Sequence, residues 1–292
     1  MLKNFLYSRR LFLGKLFLFV AACQTAEISA QKKIIIGVVS YDEGQRTIEQ
    51  YSSLIYYLGH ELKAIIEFEP AYNEIKAIEQ IKQGKWSLVF APPGLAAIAI
   101  SEAQYLPLFP LEGVKNSRSV IVVTKESPSQ KLADLGGKVI GLGQLGSAIA
   151  YYLPIYNLYG LTLAEVRFAP TPKTILQWLA TGEVAAGAMS LAELEQYRSE
   201  FNQVQFRILH TDGHNIPNGA ILVGPKVELN QQEEIRKALA ATPSSIAASA
   251  AFIPNAKVSD YQYLIEVVTR VRTIAQRIKE KPAHLFEANK LN

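Results

Sequence analysis

The strongest limit on the fold is a repeated alternation of buried strand and amphipathic helix. Residues 34–40, IIIGVVS, are apolar without alternation, which marks a strand covered on both faces of a parallel sheet. A helical stripe of Ile48, Tyr51, Leu54, Ile55 and Leu58 follows. AIIEFEP reads as a second strand, NEIKAIEQIKQGK as a helix ending at Gly84, and WSLVFAPP as a third strand closing on Pro92 and Pro93. GLAAIAISEA is helical, and YLPLFPLEG and SRSVIVVTK are strands. The pattern then restarts with KVIGLG, SAIAYYLPIYNLYG, EVRFAP, TPKTILQWLATG and VAAGAMS as strand, helix, strand, helix, strand. LAELEQYRSE is a helix, QFRILH and IPNGAILVGP are strands, and NQQEEIRKALAA and SDYQYLIEVVTRVRTIAQRIKEK are C-terminal helices.

Two successive β-α-β-α-β units predict an α/β protein of two lobes, each a mostly parallel sheet flanked by helices. The C-terminal helices have no sheet of their own, so they are expected to pack back on the first lobe. Lobe 1 is then residues 32–116 plus 216–292, and lobe 2 is 117–215. The chain crosses twice, near Ser117–Lys125 and His210–Gly224, which gives a cleft with a hinge, the usual seat of a small ligand.

The formal charge of +4 comes from the first 22 residues, where Lys3, Arg9, Arg10 and Lys15 stand without an acid. The remainder balances to zero, which removes the electrostatic footprint of a nucleic-acid binder. Residues 1–22 read as a signal peptide: a basic leader, then LFLGKLFLFVAA, shorter than the about 20 apolar residues of a membrane span. SRRLFLGK resembles a twin-arginine export signal, and general export remains the other route. Val20-Ala21-Ala22 precede Cys23, the single cysteine of the chain. Small residues before a cysteine resemble a bacterial lipobox, so Cys23 is the expected lipidation site and 23–31 a tether. The expected location is outside the cytoplasm, anchored by lipid in the periplasm or at the outer face of the cytoplasmic membrane.

GLGQLG at 141–146 fits the G-x-G-x-x-G dinucleotide template. That template also needs an acid at the end of the next strand. Here that strand ends in Ala169-Pro170-Thr171. A nucleotide-dependent oxidoreductase therefore stays only as an alternative. The turn keeps its physical content: glycines admit close approach, and backbone N–H groups at the helix start near Ser147 favour an anion.

The segment SVIVVTKESPSQKLADLGGKVIGLGQLGSAIAYYLP, with IPNGAILVGPKVELNQQEEIRKAL and AFIPNAKVSDYQYLIEVV later, resembles the phosphate, phosphite and phosphonate-binding proteins of ABC transporters. The likeness covers about 34–270 and implies the type 2 periplasmic-binding fold. The family's ligand loop is a Ser-Thr-Ser-Gly run; the matching residues are Ser147-Ala148-Ile149-Ala150, with one hydroxyl of three remaining. The resemblance places Pro92, Pro93 and Gly94 in the first-lobe loop, with Leu95 where the family has an aromatic. Gly146, Ser147, Ala148, Ile149 and Tyr151 stand at the ligand turn, and Thr171 follows the next strand. Ser190 ends the third strand, and Asn218 replaces an acid on the return strand. Lys173 and Arg118 are candidate charges, and Ser40 and Tyr41 follow the first strand.

His210-Thr-Asp-Gly-His214 has metal-ligand residue types but reads better as a turn, and the pairs Glu193/Glu195 and Glu233/Glu234 as solvated helix faces. Tyr151, Tyr152, Tyr156 and Tyr159 read more readily as packing than as cleft lining. The expected protein captures a small phosphonate- or phosphate-like anion for an ABC permease. It is held to the membrane by lipid, with no enzymatic role, cofactor, metal or nucleic acid. A sensor without a transport partner is the alternative within the binding class.

Overall fold

The computed structural model describes residues 32–39, 44–113 and 117–287; the signal peptide, Cys23, the tether, Ser40 and Tyr41 lie outside them. The first sheet contains β1 (Lys33–Val39), β2 (Ile65–Ala71), β3 (Leu88–Ala91), β4 (Leu106–Pro110) and β11 (Ala220–Val223), in the order β2-β1-β3-β11-β4. The second contains β5 (Ser119–Thr124), β6 (Val139–Leu142), β8 (Glu165–Phe168), β9 (Ala186–Ser190) and β10 (Phe206–Thr211), in the order β10-β5-β9-β6-β8.

Both sheets follow one plan and both are mixed. β1 runs parallel to β2 and β3, and β6 runs parallel to β8 and β9. The strand that has just arrived from the other sheet is antiparallel to its neighbours: β11 against β3 and β4, and β5 against β9 and β10. A crossing strand enters from the far end, so its direction is imposed by connectivity.

The helices are α1 (Gly44–Leu62), α2 (Glu74–Lys82), α3 (Pro93–Ala103), α4 (Leu153–Asn157), α5 (Pro172–Thr181), α6 (Leu191–Tyr197), α7 (Leu229–Ala240), α8 (Ser244–Ser249) and α9 (Gln262–Thr273). Tyr51, Leu54 and Leu58 of α1 pack with Ile235 and Leu239 of α7 on one face of the first sheet. Ile175, Leu176 and Leu179 of α5 cover Val120 and Val122 of the second. A third cluster is continuous across both sheets, joining Val89, Leu95 and Ile98 to Ile140, Leu142 and Ile155. Helix α3, PGLAAIAISEA, is apolar nearly all round and buried accordingly.

The tail behaves differently from the expectation. The long C-terminal helix stops at Thr273, and β12 (Ala283–His284) pairs with β7 (Thr162–Leu163) beside the second sheet. Leu264, Val267, Val268 and Val271 of α9 join the shared cluster. Burial of Ile274 and Ile278 and the pairing of β12 outweigh the helical preference of the segment. Glu102 of α3 binds Lys82 of α2 at 2.7 Å and Arg272 of α9 at 2.7 Å. Burial raises its pKa, but these two partners hold the carboxyl below its ordinary value.

If α9 carries the shared core, Leu264→Ala should destabilise the protein by about 2–5 kcal/mol, read as a lower urea midpoint. An unchanged midpoint would mean the helix is dispensable for packing.

Candidate functional site

The carboxyl ends of the strands in both sheets open on one cleft, where open α/β sheets receive ligands. The loops after β2 and β3 face those after β6, β8 and β9, and each leads into a helix start. Asn73 Oδ1 accepts Lys76 N–H at 2.9 Å, and Pro93 occupies the first turn of α3, which needs no donor. Ser147 Oγ accepts Ala150 N–H at 3.1 Å, and Thr171 Oγ1 accepts Thr174 N–H at 3.2 Å. Ser190 and Glu193 form a reciprocal capping box: Ser190 Oγ accepts Glu193 N–H at 3.1 Å, and Glu193 Oε2 accepts Ser190 N–H at 2.7 Å. The positive ends of several backbone dipoles therefore gather around the cleft.

The turn at Ser147 opens into a π-helical turn, Ala148–Tyr152, before α4. Tyr152 N–H donates to Ser147 O at 3.0 Å, and Ser119 Oγ donates to Ile149 O at 2.6 Å, fixing the turn to the start of β5.

Across the cleft, the two sheets touch through glycine. A methyl on Gly94 would lie 2.0 Å from Gly146 O and 2.7 Å from Ala148 N. Gly146 has φ +109, and a methyl there would lie 2.3 Å from Glu74 Cβ. Both positions need glycine, Gly94 for approach and Gly146 for approach and conformation. The start of α3 therefore covers the turn that sequence offered as an anion seat. Ser147 N–H is donated to Gln144 O at 3.2 Å. Gly94 also stands where a pyrophosphate would approach a dinucleotide turn.

Two spaces remain beside this contact, about 420 Å³ and about 390 Å³, and they share Ser147 and Glu193. Pro92, Pro93, Ile149, Ser190 and Asn218 line the larger with Ser147, and Thr171 lines the smaller. Gly94, Gly146 and Ala148 are buried in the inter-sheet contact beneath them. Tyr151 turns away: it is buried, edge-on to Tyr152 at 5.0 Å and tilted against Phe168 at 5.7 Å. Burial pushes its phenol up to about 12. Lys173 is exposed and paired with Glu200; that hydrogen bond raises its pKa, and it lines neither space.

Sequence reasoning took Glu193 for a solvated acid, yet it lines both spaces. The S-x-x-E spacing of Ser190 and Glu193 was the available signal. Glu74, Glu112, Gln144, Ser117 and Ile216 also line the cleft, and no local pattern marks them. His214 and Asp212 form a turn contact, with His214 N–H to Asp212 Oδ1 at 2.9 Å. Among the described residues no group of three metal-ligand side chains gathers, and no helix is long and apolar enough to cross a membrane.

A family model described as ABC transporter, phosphonate, periplasmic substrate-binding protein matches residues 36–263. A Xanthomonas citri protein bound to ATP is similar in structure, with TM-score 0.69 and 18% identity over 83% of this chain and 98% of that one. PhnD1 of Prochlorococcus marinus in complex with methylphosphonate has TM-score 0.62 and 14% identity, over 82% and 98%. A binding component of an ABC phosphonate transporter from Pseudomonas aeruginosa has TM-score 0.60 and 14% identity, over 85% and 88%. Among curated proteins no sequence matches. These likenesses establish the type 2 periplasmic-binding architecture of two mixed sheets flanked by helices.

The glycine contact makes a direct prediction. Gly94→Ala should wedge the sheets apart and raise the radius of gyration in small-angle X-ray scattering relative to the unmodified protein. An identical scattering curve would mean the contact does not set the separation.

Proposed function

Because the chain belongs to the periplasmic substrate-binding proteins of ABC phosphonate transporters, whose place is outside the cytoplasm and whose task is delivery of a solute to a permease, we propose that it captures a small anion in the cleft between its sheets. The observation that carries this reading is the convergence of the helix starts at Pro93, Ser147, Thr171 and Ser190 on the two adjoining spaces of one cleft. Oriented backbone dipoles favour negative charge there. Glu193 opposes it less than its formal charge suggests, since Ser190 N–H already binds its carboxylate at 2.7 Å. Glu112 lies exposed at the rim. Two of the similar structures hold anions, methylphosphonate and ATP.

On this reading Ser147, Ile149 and Ser190 meet the solute from one side and Pro92, Pro93 and Asn218 from the other. Thr171 bounds the smaller space. The solute binds both lobes only when they are closed, so it shifts the population toward the form a permease reads. Capture and release involve no bond-making, so the protein is not an enzyme and needs no cofactor. Export and lipid attachment at Cys23 would hold it at the membrane; the lobe limits 32–116 plus 216–292 and 117–215 belong to the same proposal, except that the tail at Ala283–Leu285 pairs with residues 160–163.

Thermal-shift measurements on the full chain with phosphate, phosphite, methylphosphonate, methanesulfonate and acetate test the reading. At least one should raise the melting temperature, and Ser147→Ala, which removes a cap of about 1 kcal/mol and a lining hydroxyl, should reduce the gain. Flat curves across the panel would overturn the anion reading.

A further inference from the structure

Among the described residues, the walls of the cleft hold no countercharge for an anion. Glu74, Glu112 and Glu193 line its two spaces, and among their described lining residues there is no lysine, arginine or histidine. What these described walls offer an anion is backbone dipoles, set against carboxylates. A basic pair lies next door. A third space of about 280 Å³ opens where the chain crosses between the sheets, lined by Ser117, Arg118, His214, Asn215 and Ile216. Ser117 and Ile216 also line the larger cleft space, so the two are contiguous.

Resting on the anion reading, we propose that the anionic group is received between the Arg118 guanidinium and the His214 imidazole, at the hinge end of the cleft. Arg118 stands immediately before β5 on the first crossing. Its carbonyl accepts Leu191 N–H at 2.9 Å, which fixes its backbone against α6. Its side chain is exposed and enters no ion pair among the described residues. A guanidinium presents a planar fork suited to a tetrahedral or planar oxyanion.

His214 stands on the second crossing and is held in one orientation. It stacks on Tyr263 of α9 at 4.0 Å between centroids and 19° between planes. Its Nδ1 lies 3.0 Å from Asp212 Oδ1 and 2.9 Å from the Tyr263 hydroxyl. Asp212 is 1% exposed and also accepts Asn157 Nδ2–H at 2.8 Å. Nδ1 faces both Asp212 and the Tyr263 hydroxyl, which leaves Nε2 as the ring nitrogen open to a ligand. Tyr263 stays neutral, since burial and then the Asp212 charge push it up to about 12. Tyr156 of α4 sits edge-on to it at 6.3 Å.

An imidazolium paired with Asp212 through Nδ1 donates to the anion from Nε2, beside the Arg118 guanidinium that lines the same space. One group comes from each crossing, so a bridging anion ties together the two segments about which the lobes move.

Titration calorimetry of the full chain with phosphate, methylphosphonate and methanesulfonate tests the assignment. The unmodified protein should bind at least one of the three. R118Q, an exposed substitution with little cost to folding, should weaken that binding about ten-fold or more. H214Q should weaken it as well, and K237Q, which deletes an equal charge from α7, should change nothing. Melting temperatures confirm that each variant is folded. Binding unaltered in R118Q and H214Q would overturn the hinge subsite and leave the anion reading standing. No binding of any of the three anions to the unmodified protein would overturn both.

Discussion

The approach of Gly94 to Gly146 is the contact around which the molecule is organised. It brings the start of one buried helix against the turn that opens another, with no side chain between them. The cleft is what remains on either side of that contact, and its walls are the capped helix starts. A methyl group at either glycine would enlarge the separation, so two hydrogen atoms set the distance over which the proposed solute would be gripped.

The remaining architecture supports that meeting. Each sheet receives one antiparallel strand from the other, and both crossings run past the hinge end of the cleft. The apolar cluster shared by α3, β6 and α9 lies behind the cleft, and the pairing of β12 with β7 fastens the tail to the second sheet. Helix α9 thus links the first sheet's α3 to the second sheet's α4 and supplies Tyr263 as the floor of His214. On the proposed reading, packing, hinge and ligand chemistry meet in the same few residues.

Much of this was legible in the sequence. The unalternating IIIGVVS and the restart at KVIGLG announce two α/β units, and family resemblance supplies the layout of the cleft loops. Local patterns failed where long-range contact decides the outcome. The tail reads as one long helix because its apolar stripe persists to Ile278, but the place of β7 is invisible to periodicity. Tyr151 follows a ligand turn in sequence, yet a π-helical turn rotates it into the core against Tyr152 and Phe168. Gly94 looks like an ordinary helix-start residue until its neighbour across the cleft is known. Glu193 carried a readable signal, the S-x-x-E spacing, which identifies it as a cap rather than a solvated acid. Arg118 and His214 are 96 residues apart by their numbering, and only the two crossings place them at one opening.

The central claim is that an anion draws the two sheets together. Pulsed electron-spin distance measurement tests it directly, with labels at exposed Thr181 at the end of α5 and Ser245 in α8. Adding phosphate or methylphosphonate should collapse a broad distribution into a single shorter distance. A distribution that stays the same with saturating amounts of either anion would contradict the account.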